Sequence, residues 1–210
     1  MDIYKESLLM HKENCGKIDV VTKVKTENEH DLALAYSPGV AQPCREIAKD
    51  PSLLNTYTAR ANMIAVVSDG SAVLGLGNIG ARASLPVMEG KCVLFRQFGG
   101  VSAFPICIES QDNNTIVETV KLLEPSFAGI NLEDISAPRC FEIENRLKAE
   151  SGMLIFHDDQ HGTAIVTLAG LFNSLKFYGL DIKDIKIVMN GAGAAGHSII
   201  KLLSTLGVSN

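Results

Sequence analysis

The sequence predicts an α/β fold built on a mostly parallel sheet, and two observations carry that prediction. From residue 101 onward, short apolar runs alternate with segments of helical period, the pattern of a parallel sheet with helices on both faces. Two of those runs, 128–132 and 152–156, each end in a pair of acids, Glu133-Asp134 and Asp158-Asp159. In an open parallel sheet such handovers from strand to helix form the edge where ligands collect.

Taken in order, residues 1–31 are polar and mixed in charge, which predicts a short helix and a loose arm. The Ser37-Pro38-Gly39 turn places Tyr36 at the mouth of a tight bend, since Pro and Gly supply the dihedrals a turn needs. Taken alone, Tyr36 is a ring packed on the fold with its hydroxyl in water. Met63–Ser68 and Ala72–Gly77 read as two strands of a hairpin around Asp69-Gly70-Ser71. Gly75-Leu76-Gly77-Asn78-Ile79-Gly80 matches G-x-G-x-x-G formally. No long apolar-periodic helix with a later acidic residue follows it cleanly, so its glycines read as allowing close backbone approach and not as a nucleotide turn. Lys91 is flanked by apolar residues on both sides. It either reaches up to the surface or is partly buried with a lowered pKa, as a general base requires.

The alternating part then runs as a strand over 103–108 and a helix over 115–123, ending before Pro125. A strand over 128–132 is followed by a helix over 138–149 with Pro138 near its start, where proline is favoured. A strand over 152–156 leads to a helix over 160–178, on which Ala164, Ile165, Leu168, Leu171, Phe172, Leu175 and Phe177 recur at helical spacing. A strand over 185–190 and a helix through Leu206 close the chain.

If the two acid-tipped strands are parallel neighbours, four carboxylates share one edge. Their mutual repulsion calls for a divalent cation, and oxygen-only ligands suit Mg²⁺ or Mn²⁺. The plainer reading is helix capping, with Asp159 or Thr163 as N-cap and acids at helix N-termini. At 185–196 a strand runs directly into Gly191-Ala192-Gly193-Ala194-Ala195-Gly196 and then a helix. That is G-x-G-x-x-G in the context where glycine backbones and a helix N-terminus hold a pyrophosphate. A tight strand-to-helix turn is the alternative. The residue that would read the ribose falls about twenty positions on, past Asn210. A lone strand and helix do not complete a dinucleotide domain. The sequence therefore reads as a piece of a longer protein, with fraying expected over 185–206.

Composition narrows the classes. At 210 residues the chain holds one large domain or two small ones, and 46% hydrophobic with 20% charged residues is ordinary for a globular core. A net charge of -5 gives no electrostatic reason to expect nucleic acid or an anionic membrane as partner. No apolar run approaches the ~20 residues that span a bilayer, and the first residues lack the basic and apolar regions of a signal peptide. Cys15, Cys44, Cys92, Cys107 and Cys140 are odd in number, scattered and without a CxxC pair, which reads as reduced thiols in a cytoplasmic protein.

Five motifs in order resemble one family. Tyr36-Ser37-Pro38-Gly39-Val40-Ala41, Glu89-Gly90-Lys91, Asn131-Leu132-Glu133-Asp134-Ile135, His157 to Ala164 and Gly191 to Gly196 together resemble the short bacterial-type malic enzymes. The resemblance implies an N-terminal catalytic domain over 1–160 and the start of a Rossmann-type NAD(P)-binding domain over 161–210. It implies oxidative decarboxylation of (S)-malate to pyruvate and CO₂ with reduction of NAD or NADP. Lys91 would take the C2 hydroxyl proton and Tyr36 would protonate the enolate at C3. Glu133, Asp134 and Asp159 would hold Mg²⁺ or Mn²⁺, with Asp158 tuning Lys91 and the ion helping to lower its pKa. Thr163 and Gly191, Ala192, Gly193, Ala194, Ala195 and Gly196 would bind the nucleotide. A homodimer is implied, with Tyr36 able to serve the neighbouring site. One departure stands out. Larger members carry an arginine for the substrate carboxylate where this chain has Ala72, which leaves that ligand to be found elsewhere, after residue 210. Two other readings are a malolactic enzyme releasing lactate, and a catalytically silent metal- or nucleotide-binding fragment.

Overall fold

The structure, a computed structural model, describes residues 2–208; Met1 of the predicted arm and Ser209 and Asn210 at the end lie outside them. The strands are β1 (Met63–Ser68), β2 (Ser102–Cys107), β3 (Gly129–Leu132) and β4 (Leu154–His157). They form one sheet in the order β2-β1-β3-β4, and every pair is parallel. Helices α1 (Ile3–Asn14), α2 (Glu29–Ala35), α3 (Ala41–Lys49) and α4 (Leu54–Tyr57) precede the sheet. The crossovers are α5 (Gly80–Gly99), α6 (Asn113–Lys121) and α7 (Arg139–Glu150), and α8 (Thr163–Tyr178) and α9 (Ala194–Thr205) follow it.

β1 lies inside the sheet, and its residues alternate between two cores. Ala65 and Val67 pack with Ile116, Val117 and Val120 of α6 and Ile143 and Leu147 of α7, whereas Val66 packs with Met88 and Cys92 of α5. Burial on both faces is why this strand is an unbroken apolar run in the sequence. The register pairs Val67 with Leu132 and Leu132 with His157. The next residues, Glu133-Asp134 and Asp158-Asp159, therefore emerge side by side. The arm after α1 is tied to α5: the Lys17 N–H donates to Glu89 Oε2 (3.0 Å) and Lys17 Nζ to the Pro86 carbonyl (2.7 Å).

Three expectations are corrected. The hairpin does not form, because both edges of β1 are occupied by β2 and β3. Residues 72–77 instead make a loop with one antiparallel bridge, Val73 to Gly77. Gly75, Gly77 and Gly80 take φ of 77°, 73° and 78°, left-handed backbone through which a strand does not continue. A long helix, α5, does follow this stretch, contrary to the expectation. The strand expected over 185–190 joins no ladder among the described residues. Ile187 and Met189 turn toward a small core of Ala164, Leu168, Ile199 and Leu203, and Val188 is 83% exposed. Finally, the helix expected from residue 160 begins at Thr163, after a single π turn over Asp158–Gly162. A Cβ on residue 162 would run into the Asp158 carboxylate, which would have to shift.

Candidate active site

The four acids meet at the carboxyl edge of β3 and β4. Ligand oxygens of Glu133, Asp134 and Asp159 lie within 4.8 Å of one another. Neither Asp159 nor Thr163 caps α8, whose N-cap is Gly162 with no side-chain bond. Asp159 Oδ2 accepts instead from the Asp134 N–H at 2.9 Å. Asp134 takes φ of 55°, a left-handed conformation that a non-glycine residue adopts only where its surroundings hold it. Its Oδ2 is buried without a hydrogen-bond partner. An orphaned carboxylate oxygen facing two more carboxylates is a donor set that fits a hard divalent cation.

Burial governs the electrostatics. Glu133 is pushed up to about 7, first by burial and further by Asp159 and Asp158, against the pull of Lys91. Asp134 is pushed up to about 6, again by burial first and then by Asp159. Behind them His157 is fully buried, with both ring nitrogens unpartnered and Nδ1 3.9 Å from Asp159 Oδ2. Burial lowers its pKa, against the opposing charges of Asp159 and Glu144.

Lys91, on α5, reaches into this group. Its Nζ donates to Asp158 Oδ2 at 2.6 Å and lies 3.1 Å from Glu133 Oε1. The expected lowering of its pKa is corrected here. Burial alone does lower it, but the bond to Asp158 and the charges of Glu133 and Asp158 outweigh burial, and the net direction is up.

The structure brings Lys91, Glu133, Asp134, Asp158 and Asp159 together and leaves Tyr36 outside. Tyr36 ends α2, is 76% exposed, and its hydrogen bonds are the backbone bonds of its own helix end and turn. Thr163 opens α8, and its N–H donates to the Asp158 and Gln160 carbonyls. Gly191 (φ 126°) makes the bend before α9, Gly193 is the N-cap, and Ala194 and Ala195 form the first turn. At Gly196 a Cβ would run into the Gly191 carbonyl, so this glycine lets the turn close on the helix. Ala72 contributes its backbone: its N–H donates to the Asp134 carbonyl at 2.9 Å.

Sequence reasoning missed three groups. Asn131 Nδ2 donates to Glu133 Oε2 at 2.8 Å; its spacing of two from Glu133 on one strand face was the available signal. Asp69, read as a turn residue, is buried and paired with Arg139 at 2.7 Å. Glu144, buried on α7, sits 2.7 Å from Lys148 Nζ and 2.6 Å from His161 Nε2; no spacing in the sequence links it to His161.

Fold and site together define an α/β protein with a lysine set against a carboxylate cluster, followed by a glycine-rich turn of dinucleotide type. The comparisons are more specific. The family described as malic enzyme, N-terminal domain, matches residues 15–118 and 110–148, and malic enzyme, NAD binding domain, matches 160–210. This chain belongs to the malic enzyme family. It is 60% identical over 208 residues to the bifunctional malic/malolactic enzyme of Bacillus subtilis, covering 99% of this chain and 51% of that protein. To the NAD-dependent malic enzyme of Geobacillus stearothermophilus it is 54% identical, covering 93% of this chain and 41% of the relative. The crystal structure of the NAD-dependent malic enzyme of Thermotoga maritima superposes with a TM-score of 0.94 at 51% identity, over 97% of this chain and 54% of that one. The chain thus spans about half the length of these relatives.

Proposed function

We propose that this chain carries the substrate- and metal-binding half of a malic enzyme, which converts (S)-malate to pyruvate and CO₂ with reduction of NAD or NADP. The observation that carries this reading is the Lys91 ammonium held between Asp158 and Glu133, with Glu133 clustered beside Asp134 and Asp159 and an unpartnered buried oxygen on Asp134. Mg²⁺ or Mn²⁺ on those three residues would supply Lewis-acid polarisation of the substrate oxygens, and the dinucleotide would accept the hydride.

The chain's own residues do the rest. Lys91 removes the C2 hydroxyl proton once its own proton has left. Asp158 offers the exit: one oxygen touches Nζ at 2.6 Å, and the side chain is 34% exposed to solvent. Asn131 and Lys91 hold Glu133 from two sides. Tyr36 is the acid that delivers a proton to C3, and its exposure just past α2 supports a homodimer in which it enters the neighbour's site. Thr163 and Gly191 to Gly196 hold the nucleotide, with the domain boundary at 160/161. Free thiols support a cytoplasmic setting. The bifunctional name of the Bacillus relative favours one second reading, release of lactate in place of pyruvate and free reduced cofactor; assaying the products separates the two.

A thermal melt with and without Mn²⁺, on the wild type and on Asp159→Asn, tests the core of the reading. A ligand that binds only the folded state stabilises it by about 2.7 kcal/mol at a hundredfold excess over Kd, roughly 5–10 °C in Tm for a chain of this size. We expect that rise in the wild type and its loss in Asp159→Asn. A wild-type melt indifferent to Mn²⁺ would sink the metal assignment.

A further inference from the structure

We infer that Asp69, Ser71 and Arg139 are positioning residues that preset the Glu133-Asp134 loop for its cation. The inference rests on the metal reading above. Asp134 is a ligand in a left-handed backbone conformation, so something outside the residue must hold it there. Its own N–H is held by Asp159 at 2.9 Å. Its carbonyl is held by the Ala72 N–H at 2.9 Å, and two residues on, the Ser136 N–H donates to Ser71 Oγ at 2.9 Å. Two of these three ties come from the 71–72 pair, which follows β1.

That pair is fixed by a buried carboxylate. Asp69 Oδ1 accepts from the Ser71 N–H at 3.0 Å and from Ser71 Oγ at 2.6 Å. Asp69 Oδ2 accepts from Arg139 Nη2 at 2.7 Å, and the same nitrogen reaches Ser71 Oγ at 2.9 Å and Ser136 Oγ at 3.1 Å. Arg139 Nη1 donates to the Gln111 carbonyl at 2.8 Å, which anchors the fork to the loop before α6. The Asp69 side chain has no solvent exposure. A buried carboxylate with three donors shared over both oxygens is stiff, and its stiffness reaches Asp134 through Ser71 and Ala72. Groups that orient ligands in this way typically change metal affinity by 10–100-fold when removed.

The test is the Mn²⁺ dissociation constant of the folded chain, read from the electron paramagnetic resonance signal of free Mn²⁺ well below Tm. There a merely structural weakening leaves the constant unmoved. Wild type, Ser71→Ala, Asp69→Asn and the surface control Arg82→Ala are compared, each with its metal-free Tm and the exchange rate of the Ala72 amide. We expect Kd to rise roughly tenfold or more in Ser71→Ala and Asp69→Asn, faster exchange at Ala72, and no change in Arg82→Ala. Should Ser71→Ala fail to fold, the near-isosteric Asp69→Asn carries the test alone. Wild-type affinity in the variants, whatever their Tm, overturns the positioning role while leaving the metal site standing. A wild type that takes up no Mn²⁺ overturns the metal reading itself, and this inference with it.

Discussion

Two stretches of this chain look alike in sequence and differ in structure. Residues 152–178 and 185–205 are each an apolar run, a short turn and an amphipathic helix. The first run becomes β4, paired in register with β3; the second stays outside any ladder among the described residues. The carboxylates after β4 are held by hydrogen bonds from Lys91 on α5 and from the Asp134 N–H just past β3. The glycine turn at 191–193 is shaped mainly by its own dihedrals and by the packing of α9 on α8. A strand pattern states what a segment is able to do. The partner strand turns it into geometry.

The largest effect that would break this comparison is in amide exchange. Amides of Gly129–Leu132 should approach the protection of global unfolding, while those of 186–190 exchange at least ~100-fold faster; equal protection would mean the ladder is not the difference. A smaller effect probes the well-held side. In Lys91→Met the ammonium no longer competes for Glu133, so Mn²⁺ should bind up to ~10-fold tighter, the equivalent of about 1.4 kcal/mol. Weaker binding would show that Lys91 supports the ligands instead of opposing a cation.

The smallest effect is the pH dependence. Glu133 rises from an ordinary 4.5 to about 7 and Asp134 from 3.8 to about 6. The folded chain therefore binds more protons than the unfolded one between those limits, and stability from these groups falls as pH rises through the window. Protonated acids also ligate poorly. The Mn²⁺-induced rise in Tm should thus be a few degrees larger at pH 7.5 than at pH 5.5, and a rise independent of pH would contradict the raised values.

Much of the architecture was legible because period and strand-end chemistry are local. The parallel alternation, the acid pairs and the glycine turn needed only their neighbours in sequence. The failures share a cause. The 72–77 hairpin was lost because β1 already had partners on both sides, and the 185–190 strand because it had none. Lys91 was read from its apolar flanks, which do lower its pKa, but Asp158 and Glu133, 67 and 42 residues away in sequence, reverse the sign. Asp69 and Arg139 are 70 residues apart, and no short motif joins them.

The acid cluster also carries a kinetic consequence. Four carboxylates and one ammonium carry a formal charge of -3 around the site. A dicarboxylate approaching that charge is repelled, and a divalent cation reduces it to -1 while offering a bridge. Under the proposed function, the sign of that charge sets an order of arrival, divalent cation before dicarboxylate.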